Sequence, residues 1–454
     1  MSMTIPGWTR QQWVDYTGLW ATCAFGFCAW LSPAGANIAL VLLALGFFFS
    51  PAARRAFRRD PLCLLFLGFA AYAVLSAIAA TVEFPESGRL QYRDTSNWLK
   101  LFAFWPVAWW LRGDPKRIDA LLLLALSGLL VGMLRHADWS ALLRLEVGAR
   151  TGFQQKIIFS GLVSGTSLLG LLLLAPRIIR RNRVSLNPPL ASPGVVRGML
   201  IFLWLSALYL LGYMLISSFS RGAWLAFALS ASVTLAWRFL IPLLCGSIPW
   251  KSALPWIMLT LAGLGVFGAI NADRIKARVG AERGVYSSVL QGEQAELPRT
   301  SLGFRVNVQK FAVDKWLERP LLGWGTGTVE HLLAHSNQQQ LLHPSHKGGV
   351  DWMDHFHNTY LEILVRFGLV GAALLTAGLV LLLRAVLRAW QGGLIPQDYF
   401  LFYGGSFGLL AIWSLFDFRA LHGDWRAYWV ILAGAAYSVP LHSLQPRLSD
   451  QEPP

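Results

Sequence analysis

Two arginines and a histidine are the residues of this chain best placed for chemistry, because Arg221, Arg305 and His357 stand in polar stretches that border long apolar runs. Arg221 lies in Ser217-Ser218-Phe219-Ser220-Arg221-Gly222-Ala223-Trp224, where one apolar run ends and the next begins with almost no loop. A charge held at membrane depth is costly unless it is paired or used. The first turn of the following helix also offers backbone amides to an anion. An anion site and an arginine that snorkels to the interface are the two readings of that junction. Arg305 stands in Gly303 to Trp316, whose apolar residues at 304, 308, 311 to 313 and 316 have the spacing of an amphipathic helix. Arg319-Pro320-Leu321-Leu322-Gly323-Trp324-Gly325-Thr326-Gly327 then reads as a helix stop and a tight glycine turn, since no strand precedes it to make a nucleotide loop.

Six of the nine histidines fall between 331 and 357. His331 and His335 share a helix face by spacing, but Leu332 stands where a zinc-protease motif needs glutamate, so no metal site is expected. His357, in His355-Phe356-His357-Asn358-Thr359-Tyr360-Leu361-Glu362, stands where polar chain becomes amphipathic helix. A neutral imidazole there can take a proton from a hydroxyl near pH 7; a helix-capping histidine is the competing reading. Glu362 and Arg366 are four apart and are expected to pair. Four cysteines in or beside apolar runs suggest neither a disulfide framework nor a cysteine-based zinc site.

The elements that position these residues are membrane helices. With 55% hydrophobic and 14% charged residues over 454, the chain is too apolar for an ordinary soluble domain. Apolar runs occur near 16–31, 35–50, 61–81, 95–111, 118–133, 157–175, 198–216, 222–240, 253–271, 367–386, 399–416 and 425–440. They predict an all-α polytopic membrane protein of about twelve transmembrane helices. The first run passes straight into the second without a cleavage site, and reads as a retained helix.

The net charge of +15 tempts a nucleic-acid reading, yet the basic residues sit in short clusters between apolar runs and not on one folded face. Nucleic acid is therefore not an expected partner. Arg54, Arg55, Arg58 and Arg59, then Arg112, Lys116 and Arg117, then Arg177, Arg180, Arg181 and Arg183 all fall on one side, which should be the cytoplasm and should hold both termini. The organisation expected is helices one to nine over 1–271, a large outward segment over 272–366, helices ten to twelve over 367–440, and a tail over 441–454. Long segments translocate largely regardless of charge, so the basic residues of 272–366 do not upset that orientation. Tryptophans 98, 105, 109 and 110 read as an interfacial belt; Trp139, Trp324 and Trp352 lie in outward segments, where a structural role is the first reading and stacking on a sugar the alternative.

Taken together, Ser217 to Trp224, Arg305 with Trp316 and the Pro320 to Gly327 turn, and His357-Asn358-Thr359-Tyr360-Leu361-Glu362 with Phe367-Gly368-Leu369-Val370-Gly371 resemble the O-antigen ligase and polymerase superfamily over roughly 150–385. The single large outward segment between runs nine and ten looks more like the ligase branch. That resemblance implies a GT-C-like fold, with the segment after helix nine periplasmic and helical. It also implies a metal-independent transfer at the periplasmic face of the inner membrane, using no cofactor. The donor would be polysaccharide linked to undecaprenyl pyrophosphate, the acceptor a sugar hydroxyl of the lipid A core, and membrane lipids the surroundings. The family's functional arginines and histidine map onto Arg221 and Arg305, which would bind the pyrophosphate, and His357, which would be the base. His355 stands two residues away as a rival. Arg150, Gln154 and Lys156 are further candidates for contact with phosphate, with structural roles as the alternative. A polymerase or a protein-glycosylating enzyme of the same superfamily is the nearer alternative, and a transporter the more distant one.

Overall fold

A computed structural model describes residues 9–140, 157–175, 177, 193–240, 301–336 and 355–443, with isolated positions between 265 and 276; these are helical with no β-strand. In chain order the helices are α1 (Arg10–Cys28), α2 (Pro33–Phe49), α3 (Pro51–Arg59), α4 (Pro61–Glu83), α5 (Gly88–Leu99), α6 (Phe104–Leu111), α7 (Pro115–His136) and α8 (Ile157–Leu173). They continue as α9 (Pro193–Ser217), α10 (Arg221–Leu235), α11 (Ser301–Glu318), α12 (Val329–Ala334), α13 (Thr359–Gln391), α14 (Gln397–Trp413) and α15 (Gly423–Ser443).

Local sequence explains several helix starts. Ser32-Pro33, Ser50-Pro51 and Asp60-Pro61 each place a capping oxygen before a proline whose missing N–H is no loss in a first turn. The three caps accept from the amides of Gly35 (3.2 Å), Ala53 (3.2 Å) and Leu62 (2.9 Å). Repeated polar-proline junctions thus let α2, α3 and α4 follow one another with single-residue breaks.

Among the described residues, four helices are long and apolar enough to cross a membrane: α4, α7, residues Gly198–Ser217 of α9, and α13. The pair α2 and α3, bent by 88°, qualifies as a fifth. The chain is a multi-pass helical membrane protein. Eleven of the twelve apolar runs meet helices, and the run at 253–271 lies almost wholly outside the described residues. The run at 95–111 is not one continuous helix: α5 ends at Leu99, a 3₁₀ turn covers Lys100–Ala103, and α6 restarts at Phe104. Pro106 gives the reason, since in the first turn of α6 its missing N–H costs nothing, whereas deep in a longer helix it would break the ladder.

The chain divides into two compact units. The first comprises Met1–Gly132, Val308–Pro396 and Phe418–Pro454; the second, Met133–Asn307 and Gln397–Asp417. In the first unit, α6 packs on α15, α1 on α2, α4 on α5 and α13, and α13 on α15. Trp98, Trp105 and Trp110 are fully buried there, so they form packing cores and not the expected interfacial belt. Buried Asp60 explains part of this by accepting from the Trp105 indole (2.8 Å) and the Tyr437 hydroxyl (2.9 Å). In the second unit, α8 packs on α9, α10 and α14. Small residues permit the approach: a Cβ on Gly222 would stand 2.7 Å from Phe416, and one on Gly161 2.5 Å from Ala223.

One backbone feature organises the first unit's polar end. Within α13, Gly368 has φ 58° and ψ −165°, a conformation essentially reserved for glycine. The glycine turn lies against this break, where Trp324 N donates to Val365 O (2.8 Å), Gly325 N to Arg366 O (3.0 Å) and Leu369 N to Pro320 O (2.8 Å). A Cβ at 368 would collide with the Leu321 carbonyl. Gly368→Ala is therefore expected to cost about 3 kcal/mol, from combined strain and overpacking. Thermal unfolding of the detergent-solubilised protein checks this, against Gly404→Ala, where a Cβ meets open space, as the control.

Candidate functional site

The start of α13 fixes the histidine pair. Asn358 is its N-cap, accepting from the amides of Tyr360 (3.0 Å) and Leu361 (3.2 Å). Capping is thus the asparagine's work, which leaves the imidazole of His357 for another role. His357 has φ 53°, left-handed for a non-glycine residue, and is 8% exposed. Such a conformation persists only where the surroundings hold it. Here they are the Gln309 amide, donating to the His357 carbonyl (3.3 Å), and the Phe356 amide, donating to Glu362 Oε1 (2.6 Å). Phe356 itself is fully buried, its ring 6.3 Å from Phe311 of α11. The two imidazoles meet directly, His355 Nε2 standing 3.2 Å from His357 Nδ1. The sequence posed them as rivals; the structure makes them a pair.

Beneath the pair lies a buried ionic network. Arg366, 1% exposed, donates through Nε to Glu362 Oε2 (2.7 Å) and through Nη1 to Asp94 Oδ2 (2.9 Å) and to the Thr326 carbonyl. The expected Glu362–Arg366 pairing is present, extended by a third ion from α5. Asp94 also accepts from Arg93 Nε (2.8 Å), and Arg93 reaches Glu330 of α12 (3.3 Å). Gln91, one turn before Asp94, accepts from Gly327 N (2.7 Å) and donates to Thr328 Oγ1 (2.7 Å). Thr95 and Thr326 hydroxyls meet at 2.6 Å. The glycine turn is thereby held on one side by α13 and on the other by α5.

Of the outward tryptophans, Trp324 takes a structural place. Arg319 forks onto Glu83 and lies 3.9 Å over the Trp324 ring, with Lys315 at 5.4 Å. The Trp324 ring is thus engaged by cations from α11 and the residue after it. Trp139 is half exposed, and Trp352 lies outside the described residues. The rings of His331 and His335 are 4.1 Å apart, and His335 Nδ1 faces the His331 carbonyl at 2.9 Å. Burial, and then His335, push the His331 imidazole below its ordinary range, while Glu86 at 3.5 Å opposes them.

The amphipathic reading of α11 holds, since Phe304, Val308, Phe311 and Ala312 are buried along one face. Arg305 lies one helical turn before Gln309, the residue that touches the His357 backbone. In the second unit, Arg221 is the first residue of α10. Ser220 caps that helix through the Ala223 amide (3.3 Å), so one first-turn donor is already taken. The approach is rigid: Phe219 has φ 47°, Ser218 Oγ donates to Leu215 O (2.7 Å), and Trp224 Nε1 donates to the same carbonyl (2.8 Å). Arg150, Gln154 and Lys156 lie outside the described residues. Arg419 forks onto Asp424 (2.6 and 3.0 Å), giving the polar turn before α15 a structural purpose.

Sequence reasoning missed Asp94, Gln91 and Thr326. A signal existed, because Gln91, Asp94, Thr95 and Trp98 fall on one helical face and all are buried.

This is a membrane-embedded helical protein whose polar residues form an ionic scaffold beneath a histidine pair. The O-antigen ligase family model matches residues 205–376, a stretch that carries Arg221, Arg305 and His357. A comparison with curated proteins gives no match.

Removing one member of a buried ionic network leaves an uncompensated charge. Arg366→Met is expected to lose about 3–5 kcal/mol, because Glu362 and Asp94 would then face each other unneutralised. Asn358→Ala should cost about 1 kcal/mol, the ordinary worth of a cap. Unfolding midpoints of both variants, measured side by side, check the order.

Proposed function

We propose that this protein is an O-antigen ligase, transferring polysaccharide from undecaprenyl pyrophosphate to a sugar hydroxyl of the lipid A core on the periplasmic face of the inner membrane. The observation that carries the proposal is the family match over 205–376 together with a buried, left-handed His357 inside that stretch. Cleaving the bond between the anomeric carbon and pyrophosphate puts negative charge on the leaving group. Arg221 and Arg305 are assigned to that charge, since a guanidinium fork binds phosphate oxygens without a metal. His357 is assigned as the base that takes the acceptor's proton as its oxygen attacks the opposite face, which inverts the anomeric centre. For His357 to act through Nε2, its Nδ1 must carry the hydrogen shared with His355 Nε2. His355 is thus given a positioning role beside it. Arg150, Gln154 and Lys156 are assigned to phosphate contact.

A polymerase or a protein-glycosylating relative would use the same donor chemistry and differ in acceptor. Purified protein given lipid-linked glycan and lipid A core should form ligated lipopolysaccharide. Chain extension without attachment to core, or glycosylation of an acceptor protein, would reassign it within the superfamily. His357→Ala and Arg305→Ala are expected to fold and insert but to lose transfer by at least about 100-fold, the ordinary worth of a general base or of a charge-stabilising donor. Arg221→Lys should also be poor, since an ammonium cannot reproduce a fork. Chelator should leave the wild-type rate unchanged. Full transfer by both alanine variants would overturn the assignment.

A further inference from the structure

Helix α3 carries four arginines that the site does not use. Arg54, Arg55, Arg58 and Arg59 are all exposed, and their side chains make no ion pair or hydrogen bond with any described residue. Spacings of one and four residues crowd these like charges along one side of a nine-residue helix, an arrangement that repels itself in water. The opposite side is anchored. Ala53 and Ala56 are buried, and the Phe57 ring packs on Phe47 (5.4 Å) and Trp105 (5.2 Å). The helix is pinned at both ends, by Ser50 capping its start and by Asp60 after its end, which is tied to Trp105 and Tyr437. These cations are therefore presented from a fixed platform and not from a floppy loop.

The surface beside the platform identifies what it meets. Helix α2 exposes Ile38, Val41, Leu45, Phe48 and Phe49, a face that only lipid tails would solvate in a membrane protein. Immediately after Phe49 the chain bends by 88° into α3. The arginines thus begin where the apolar face stops, at the level where phosphates of the surrounding lipid lie. Arginine suits this place because its fork takes two phosphate oxygens and is weakly hydrated.

We infer that α3 is a binding site for the phosphate head groups of anionic phospholipids in the adjoining leaflet, with Arg54, Arg55, Arg58 and Arg59 as its ligating residues. The site is separate from the proposed transfer reaction and stands whether or not the chain is a ligase. Each cation near a charged bilayer adds to the attraction, so the four together should favour an anionic over a zwitterionic lipid by roughly ten-fold or more.

The test measures the thermal unfolding midpoint of the full-length protein in neutral detergent at low salt, with phosphatidylglycerol or phosphatidylcholine added. A lipid that binds only the folded state raises the midpoint. Phosphatidylglycerol should raise it by several degrees more than phosphatidylcholine does, and added salt should erase the difference. Replacing all four arginines by glutamine should abolish the difference. Replacing all four by lysine keeps the charge that directs insertion and should retain most of it. A glutamine variant that responds like the wild type overturns the inference, as does a lysine variant that folds like the wild type yet responds like the glutamine one. Glycerol phosphate at equal concentration should have little effect; an equal rise would make this a site for free phosphate or other soluble polyanions, and not for lipid.

Discussion

The polar end of the first unit depends on how one buried guanidinium is neutralised. Arg366 cannot reach water, so its charge must be met by Glu362 from its own helix and Asp94 from α5. Taking such ions from water costs several kcal/mol each, which good geometry and further hydrogen bonds must offset. Satisfying them fixes everything nearby. Glu362 spends its second oxygen on the Phe356 amide, Asp94 its second on Arg93, and Arg366 a further N–H on the Thr326 carbonyl. Three segments far apart in the chain, α5, the glycine turn and the histidine loop, are thereby held to the start of α13.

Position follows from that shared neutralisation. His357 keeps a strained backbone because Phe356 on one side is bonded to Glu362 and Asn358 on the other caps α13. The Gly368 break gives the turn carbonyls and amides of α13 to pair with, in place of an uninterrupted helix surface that offers none. Arg221 is fixed differently, by a left-handed Phe219 and a serine cap at a junction too short to wander. Arg221 and His357 thus each stand at a helix start, where backbone geometry fixes their direction more tightly than a mid-loop position would.

Helix positions were largely legible in the sequence because apolar run length is a strong signal in a membrane protein. Glu362–Arg366 was legible as an i to i+4 pair, and the 320–327 turn from its glycines. Less accessible were facts set by tertiary contact. Trp98 and Trp105 resemble interfacial anchors by neighbourhood, yet Asp60 and the packed aromatics draw them inward. Asp94 lies in the polar α5, and nothing local reveals that it meets a buried arginine. The reach of Arg319 across Trp324 to Glu83 joins residues 236 apart, which no local pattern announces.

The most direct measurement is photo-crosslinking of an undecaprenyl pyrophosphate analogue, carrying the reactive group beside its phosphates, to the membrane-inserted protein, followed by peptide mapping. Labelling is expected at the Ser217–Trp224 junction, in the first turns of α11, and around His355–His357, with competition by unlabelled undecaprenyl pyrophosphate. Competed labelling confined to other segments would contradict the proposed site.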